Sequence, residues 1–499
     1  MDKSKRTKLK LNTLSSLLLY LITFACGFIL PKLILNHYGS KTNGIVSSIT
    51  QFLSLISFLE LGVGSVVQSS LYKPLSEKNE LLISQIIRSA SRFYRKIAII
   101  LVVYVIILVF VYPILINGEF DFVYTAVLIV SISISLFAQY YFGVVDSLLL
   151  TADQRGYIQY NTQTITLILN TIVSIILIEA GASIQLVKLS SSLIYLLRPI
   201  ILRQYVKKHY LIDRKVEYEI EPIKQKWNGV AQHVSAVVLD QTDVIVLTTF
   251  STLSSVSVYN VYHLVVFGIK SLVMYMTSGI SALLGEYWAR QELDNLKSFF
   301  IWSEWTIHTI VVFVFGCTAS LIVPFIQIYT KGVNDANYYV PMFALLITIA
   351  NAMHCLRLPY NLMILAGGHY KQTQSNYIIS ALINIIVSIV AVRLLGLVGV
   401  AIGTIAAMAY QTIWMAWYNS KNFLKIPIVE FFKHMTVDIL SFIIAFTICR
   451  IIHLESLSLL SWVFLAIKHA IIWIIIIILC NLLCYRVFLK EMLLKVKKK

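Results

Sequence analysis

LLLTADQRGYIQYNTQTITLILNTIVSIILI (residues 148–178) and LMILAGGHYKQTQSNYIISALINIIVSIVAV (residues 362–392) are two versions of one pattern. Each is an apolar run ending in alanine, Ala152 or Ala366, then a short polar turn, then a second apolar run. In that second run Asn170, Val173, Ser174 and Ile175 stand where the other copy has Asn384, Val387, Ser388 and Ile389. The offset is the same throughout, which marks an internal repeat. The runs flanking each turn are long enough to cross a bilayer, so the repeated unit is a bundle of membrane helices.

Apolar stretches of spanning length recur about 14 times, from Leu14–Asn36 to Ser458–Tyr485. Lys and Arg concentrate in every second gap between them: residues 1–10, 73–96, 153–156, 203–226, 290–297, 369–371, 421–433 and 486–499. The other gaps hold only Lys41 and Lys331 and lean acidic through Glu119, Asp121 and Glu179. The positive-inside rule then places both termini in the cytoplasm and requires an even number of spans. Both copies of the repeat enter from the cytoplasmic side, so the repeat is parallel, with its pseudo-axis along the membrane normal.

The expected fold is therefore an all-α polytopic membrane protein of about 14 transmembrane helices. Two six-helix lobes surround a central cavity, and two helices follow at the C-terminus. The expected bounds are an N-lobe at 1–206, a basic cytoplasmic linker at 207–228, a C-lobe at 229–420, and the last helix pair with a basic tail at 421–499.

Composition excludes several function classes. With 58% apolar residues in 499, no soluble domain of ordinary size fits. The net charge of +17 sits on helix flanks, where it orients spans and meets anionic lipid, and no separate basic groove with interleaved aromatics indicates nucleic acid. The basic start is followed by no small-residue cleavage site, so the first apolar run reads as a retained helix. The six cysteines all fall inside expected spans without metal-ligand spacing, so neither a metal nor a cofactor is expected.

Charged side chains at bilayer depth cost several kcal/mol unless they meet water or a partner. Helical phase groups them. Gln232, His233, Asp240 and Asp243 fall within about 100° of one another on the seventh span. Tyr259, His263, Lys270, Thr277 and Ser281 share a face of the eighth, Ser57, Glu60, Gly64 and Gln68 a face of the second, and His354, Arg357 and Asn361 a face of the tenth, beside Pro359. Taken singly, each has a structural reading: Asp243 and Lys270 would neutralise one another, and Glu60 would bond a neighbouring helix. As a set on several helices they describe a polar cavity. Lys270 and Arg357 lie too deep to snorkel and would attract an anion, above all a diphosphate, while Tyr, Asn and Gln suit sugar hydroxyls. Arg198, beside Pro199, is near enough to the inner end for either reading.

Several short motifs resemble those of bacterial polysaccharide flippases of the Wzx type, within the MOP superfamily of multidrug, oligosaccharidyl-lipid and polysaccharide exporters. They are Tyr38-Gly39 with Asn43-Gly44-Ile45; Glu60-Leu61-Gly62-Val63-Gly64; Asp243-Val244-Ile245-Val246 with Val258-Tyr259; and Ala366-Gly367-Gly368 with Lys371. Order and spacing carry the resemblance over nearly the whole chain. It implies outward flipping of an undecaprenyl-diphosphate-linked oligosaccharide in a bacterial cell membrane, alongside the glycosyltransferases and polymerase of a capsule, exopolysaccharide or wall-polymer pathway. Lys270, Arg357, His263, Asn361 and Tyr259 would then contact the diphosphate and sugar. Glu60, Asp240 and Asp243 would tune the cavity or bind a coupling cation, Na⁺ or H⁺. The rival readings are a peptidoglycan-precursor flippase or drug/cation antiporter of the same fold and, from another class, a membrane-embedded polymerase or acyltransferase. That last class would need a large outer loop or an embedded catalytic His with an acid partner, and His263, His354 and His469 have no such motif around them.

Overall fold

The computed structural model describes residues 3–60, 62–223, 230–277 and 280–486. They are helical, with no strand among them. In chain order the helices are α1 (Lys3–Ser54), α2 (Val63–Glu77), α3 (Glu80–Leu115), α4 (Phe122–Ala138), α5 (Val144–Ala152), α6 (Gly156–Glu179), α7 (Ile184–Tyr195), α8 (Leu197–His209) and α9 (Val230–Phe250). Then follow α10 (Leu253–Thr277), α11 (Ile280–Ala289), α12 (Leu293–Tyr329), α13 (Pro341–Leu356), α14 (Leu358–Ala366), α15 (Tyr370–Leu395), α16 (Leu397–Asn419), α17 (Ile428–Cys449) and α18 (Leu459–Cys484).

Twelve stretches among the described residues are long and apolar enough to cross a membrane. The first, Lys10–Glu60, has 51 residues, about 75 Å of helix and twice what a bilayer needs. It breaks at Gly39, whose φ of 82° is a left-handed conformation that favours glycine. Splitting it there, and adding the 21-residue α9 whose Asp240 and Asp243 lower its hydropathy, brings the number to fourteen among the described residues. The all-helical polytopic fold read from the sequence is the fold observed.

Helix starts use side-chain caps where the sequence offers them. Asn79 accepts from the Leu82 amide, Asp121 from Val123 and Tyr124, and Ser183 from Leu186. The remaining faces are apolar. Ile99, Ile106, Phe110 and Ile114 of α3, with Ile443 of α17 and Leu482 of α18, are exposed as a lipid-facing surface requires.

The chain divides into two compact units, residues 1–257 and 258–499, so α10 begins in the first and runs into the second. In unit 1, α9 packs on α1 through polar pairs: Ser48 Oγ to Thr248 Oγ1 at 2.7 Å and Ser54 Oγ to Gln241 Oε1 at 2.7 Å. Asn43 donates to Ser257 at 2.8 Å, and Gly44 lies so close to the Leu253 carbonyl that a Cβ would fall 1.9 Å from its oxygen. Residues 210–223 are held on α3 and α5. Arg214 donates to the buried Asp146, Arg88 to the Arg214 carbonyl, and Ser89 to Glu221, while Ile223 is buried. The Tyr210 phenol, donating to Asp153 at 2.6 Å, is raised above its ordinary pKa by burial and by that carboxylate. Of the expected linker at 207–228, residues 207–209 belong to α8 and residues 224–228 lie outside the described set.

The repeat is visible in burial. Thr162, Thr166, Asn170 and Ser174 of α6 are all buried, and so are Asn376, Ser380, Asn384 and Ser388 at the corresponding places of α15. In unit 2 this stripe meets α16: Asn384 donates to Thr404 at 3.2 Å, and a Cβ on Gly403 would fall 2.0 Å from Ser388 Oγ. The last helix, α18, docks on α12 by inserting Trp473 against Gly316, with its indole N–H 3.2 Å from Ser320 Oγ.

Candidate functional site

Three spans of unit 1 are irregular at mid-length, and the irregular points lie together. After α1 the chain makes a 3₁₀ turn over Leu55–Glu60, and Gly62 takes a φ of 73° before α2 begins. Between α4 and α5 a π-turn occupies Gln139–Gly143, and between α7 and α8 the helix is interrupted at Leu196, ahead of Pro199. Backbone of this kind is tolerated at membrane depth where it lines a polar cavity. One is present, of about 490 Å³, lined at the breaks by Glu60, Gln139, Tyr195 and Arg198, with Gln159 and Gln163 of α6 among its other polar groups.

Its two charged side chains are both anchored. The Glu60 carboxylate accepts from the Tyr140 hydroxyl at 2.5 Å. Arg198 donates from Nε to Thr166 Oγ1 at 2.7 Å and lies over the Tyr195 ring, its Cζ 4.0 Å from the ring centre, while the Tyr195 hydroxyl accepts from Asn170. This holds the Arg198 guanidinium by one nitrogen, as suits a side chain whose fork can bind an oxyanion.

In unit 2 the break between α13 and α14 falls at Arg357, next to Pro359. Arg357 is buried and donates to Gln411 of α16, and Asn361, one turn on, accepts from Tyr377 at 2.5 Å. Lys270 of α10 is also buried, its ammonium 5.2 Å from the centre of the Phe267 ring. Lys270 and Arg357 both act electrostatically on His354, so the two deep cations named from the sequence converge on one neighbourhood. Tyr259 and His263 stack on each other at 5.3 Å, with Tyr259 also against Phe343 in the core. Asp243 is buried in unit 1, and the side chain of Asp240 lies outside the described set, as do those of Gln232 and His233.

Of the proposed site residues whose side chains are described, Glu60 lies on the unit 1 cavity, and Lys270, Arg357 and Asn361 belong to unit 2. Sequence reasoning left Arg198 undecided and passed over Gln139, Gln159 and Gln163. Their signal was the coincidence of a proline or glycine with polar residues in mid-span, at Gly143 and Pro199.

No family profile matches the sequence, and no curated protein sequence does. Solved structures match over most of the chain. Lipid II flippase MurJ in an inward closed conformation aligns with a TM-score of 0.71 at 15% identity, covering 96% of this chain and 99% of that one. An inward-facing multidrug resistance MATE family transporter of the MOP superfamily aligns at 0.54 and 14% identity, covering 81% of this chain and 94% of that one. A MATE structure in the bent conformation aligns at 0.52 and 13%, covering 83% and 96%. The chain is a multi-pass membrane protein that shares the fold of these MurJ and MATE structures.

Proposed function

We propose that this protein is a flippase that moves an undecaprenyl-diphosphate-linked oligosaccharide from the cytoplasmic to the outer leaflet of a bacterial cell membrane, by alternating access between lobes at 1–206 and 229–420. It has no catalytic centre in this reading, and both termini are cytoplasmic. The observation that carries the reading is the set of deep cations, the half-buried Arg198 on the unit 1 cavity and the buried Lys270 and Arg357 of unit 2, in a fold shared with a lipid-linked precursor flippase. A diphosphate sugar needs such a path, since unsolvated charge in hydrocarbon costs on the order of tens of kcal/mol in the idealised limit. The lipid tail can remain in the bilayer while the headgroup crosses. An inside-negative potential favours outward movement of two negative charges by roughly 4 to 5 kcal/mol per 100 mV. Glu60 and Asp243 tune the cavity or hold a coupling cation, and the pathway's glycosyltransferases and polymerase supply and consume the substrate.

A second reading, a flippase for the peptidoglycan precursor, is supported by the extent of the MurJ likeness, which takes in 99% of that chain. The drug/cation antiporter reading is weaker: the MATE likenesses leave about a fifth of this chain uncovered. The deciding experiment is flipping of fluorescent undecaprenyl-diphosphate oligosaccharides and of lipid II in proteoliposomes. Transport of the first and not the second supports the proposal; the reverse pattern selects the second reading, and transport of neither by folded protein rejects both.

A further inference from the structure

Unit 2 buries a second set of titratable groups for which the flippase reading has no task. Glu304 and His308 stand one turn apart on α12 and are 6% and 1% exposed. His308 Nδ1 lies 2.7 Å from Asp438 Oδ2 on α17, and the ring also meets the backbone of Leu356. Glu304 accepts from the Tyr360 hydroxyl of α14. From α17, His434 faces the His308 ring at 5.9 Å, and its Nδ1 is 2.8 Å from the hydroxyl of Tyr485, just past the end of α18. Two further charges act here: Lys433, whose ammonium lies over the Tyr485 ring, and Glu430, which reaches Glu304 electrostatically. These two are half-exposed and paired with each other at 3.7 Å.

The charges in this cluster do not balance. With both carboxylates ionised and His308 protonated, the net charge is −1, and Lys433 is already paired outside the cluster. An uncompensated buried carboxylate costs several kcal/mol, and the usual outcome is that it takes up a proton. A cavity of about 10 Å³, space for about one water, adjoins the cluster, lined by His308, His434, Asp438, Asn481 and Tyr485 among others.

We propose that Glu304, His308 and Asp438 form a proton-binding site, filled through the water-sized cavity beside Tyr485. The step is acid–base only. A proton leaves a water-borne donor and adds to a carboxylate oxygen, forming an O–H bond, and it returns by the same path. Its consequence reaches Tyr360. Toward that phenol an ionised Glu304 can only accept, whereas a protonated one can also donate. Tyr360 follows the Arg357 break directly, and its carbonyl is held by Asn419 at 3.0 Å. Proton occupancy therefore bears on the segment that carries Arg357 and Asn361. That coupling rests on the transport reading above; the proton site itself does not.

The test is infrared difference spectroscopy of the full-length protein in nanodiscs, stepped between about pH 8 and 5, a range a histidine cluster spans. The wild type is compared with Glu304→Gln, Asp438→Asn and His308→Gln, each checked for a cooperative melt. The expected result is a titrating carbonyl band of a buried carboxylic acid, absent from one amide variant and displaced in His308→Gln. Isotope labelling of aspartate or glutamate in the wild-type chain assigns the band if an amide variant does not fold. A wild-type spectrum without a titrating carboxyl band, or one unchanged by both amide substitutions, overturns the site. In proteoliposomes an imposed pH gradient should change the wild-type flipping rate several-fold. A titrating band with gradient-insensitive flipping overturns the coupling alone, and absence of any flipping rejects the transport reading while the spectra still decide the site.

Discussion

Arg214 donates to Asp146, whose carboxylate is completely buried in α5, although Arg214 belongs to the irregular segment that follows α8. Arg203 is the next cation, at 3.7 Å. A basic stretch with the composition of a solvated linker is thus fastened to the helices before it.

Removing the fastening should be costly. Arg214→Ala leaves Asp146 with a single, longer partner, and loss of one member of a buried pair costs about 3–5 kcal/mol. The expected outcomes are a lower melting temperature and faster tryptic cleavage within residues 207–226. Unchanged melting and cleavage would mean that the strap is held by its other bonds, to Ser84, Arg88 and Ser89.

The approach of Gly44 to the Leu253 backbone predicts an intolerant position. Gly44→Ala places a methyl where the carbonyl already is, and overpacking of this kind costs about 1–3 kcal/mol. Gly285→Ala is the control, since its added carbon meets Ala366 at an ordinary 3.8 Å. Melting of the two variants in detergent should differ by several degrees; equal melting would show that α1 and α10 can separate at no cost.

Charge and hydrogen bonding at Glu60 can be separated. Glu60→Gln keeps the volume and a bond to Tyr140 but removes the charge, whereas Tyr140→Phe removes only the donor, a loss of about 1 kcal/mol. If the charge serves transport, Glu60→Gln should slow initial flipping rates about tenfold or more, equivalent to about 1.4 kcal/mol. Tyr140→Phe should slow them only a few-fold. Equal effects would make the pair a structural contact.

Lys270→Gln and Arg357→Gln should each abolish flipping of a diphosphate-linked substrate while the protein still melts cooperatively. Arg198→Lys, which keeps the charge but loses the fork and the stacking on Tyr195, should give an intermediate rate. Wild-type rates in all three would remove the cations from the path.

The sequence made the helices legible because a bilayer imposes length and charge rules on each span separately. The break at Gly39 and the turns at residues 153–156 and 367–370 are likewise local. Helical phase also put Arg357 and Asn361 on one face and set Lys270 at comparable depth. Phase cannot say which helix a face will meet. Glu304 and His308 drew no attention because Asp438 reaches them only through α17, 130 residues on. Asp146 drew no attention because its partner comes from a segment 68 residues on. Arg198 needed the π-turn at Gln139–Gly143, on another span, to show that it borders a cavity rather than an interface.

The buried polar stripes on α6 and α15 bear on assembly. In lipid, one apolar face attaches to another no better than to the acyl chains, so apolar contact cannot tell a helix which neighbour to choose. A row such as that of α15 can, because Ser380 and Asn384 bond the Ala407 carbonyl and Thr404 of α16 and, misplaced, would be stranded in hydrocarbon. The two rows then work as sorting labels, read as the spans leave the insertion machinery, and each half of the chain carries its own.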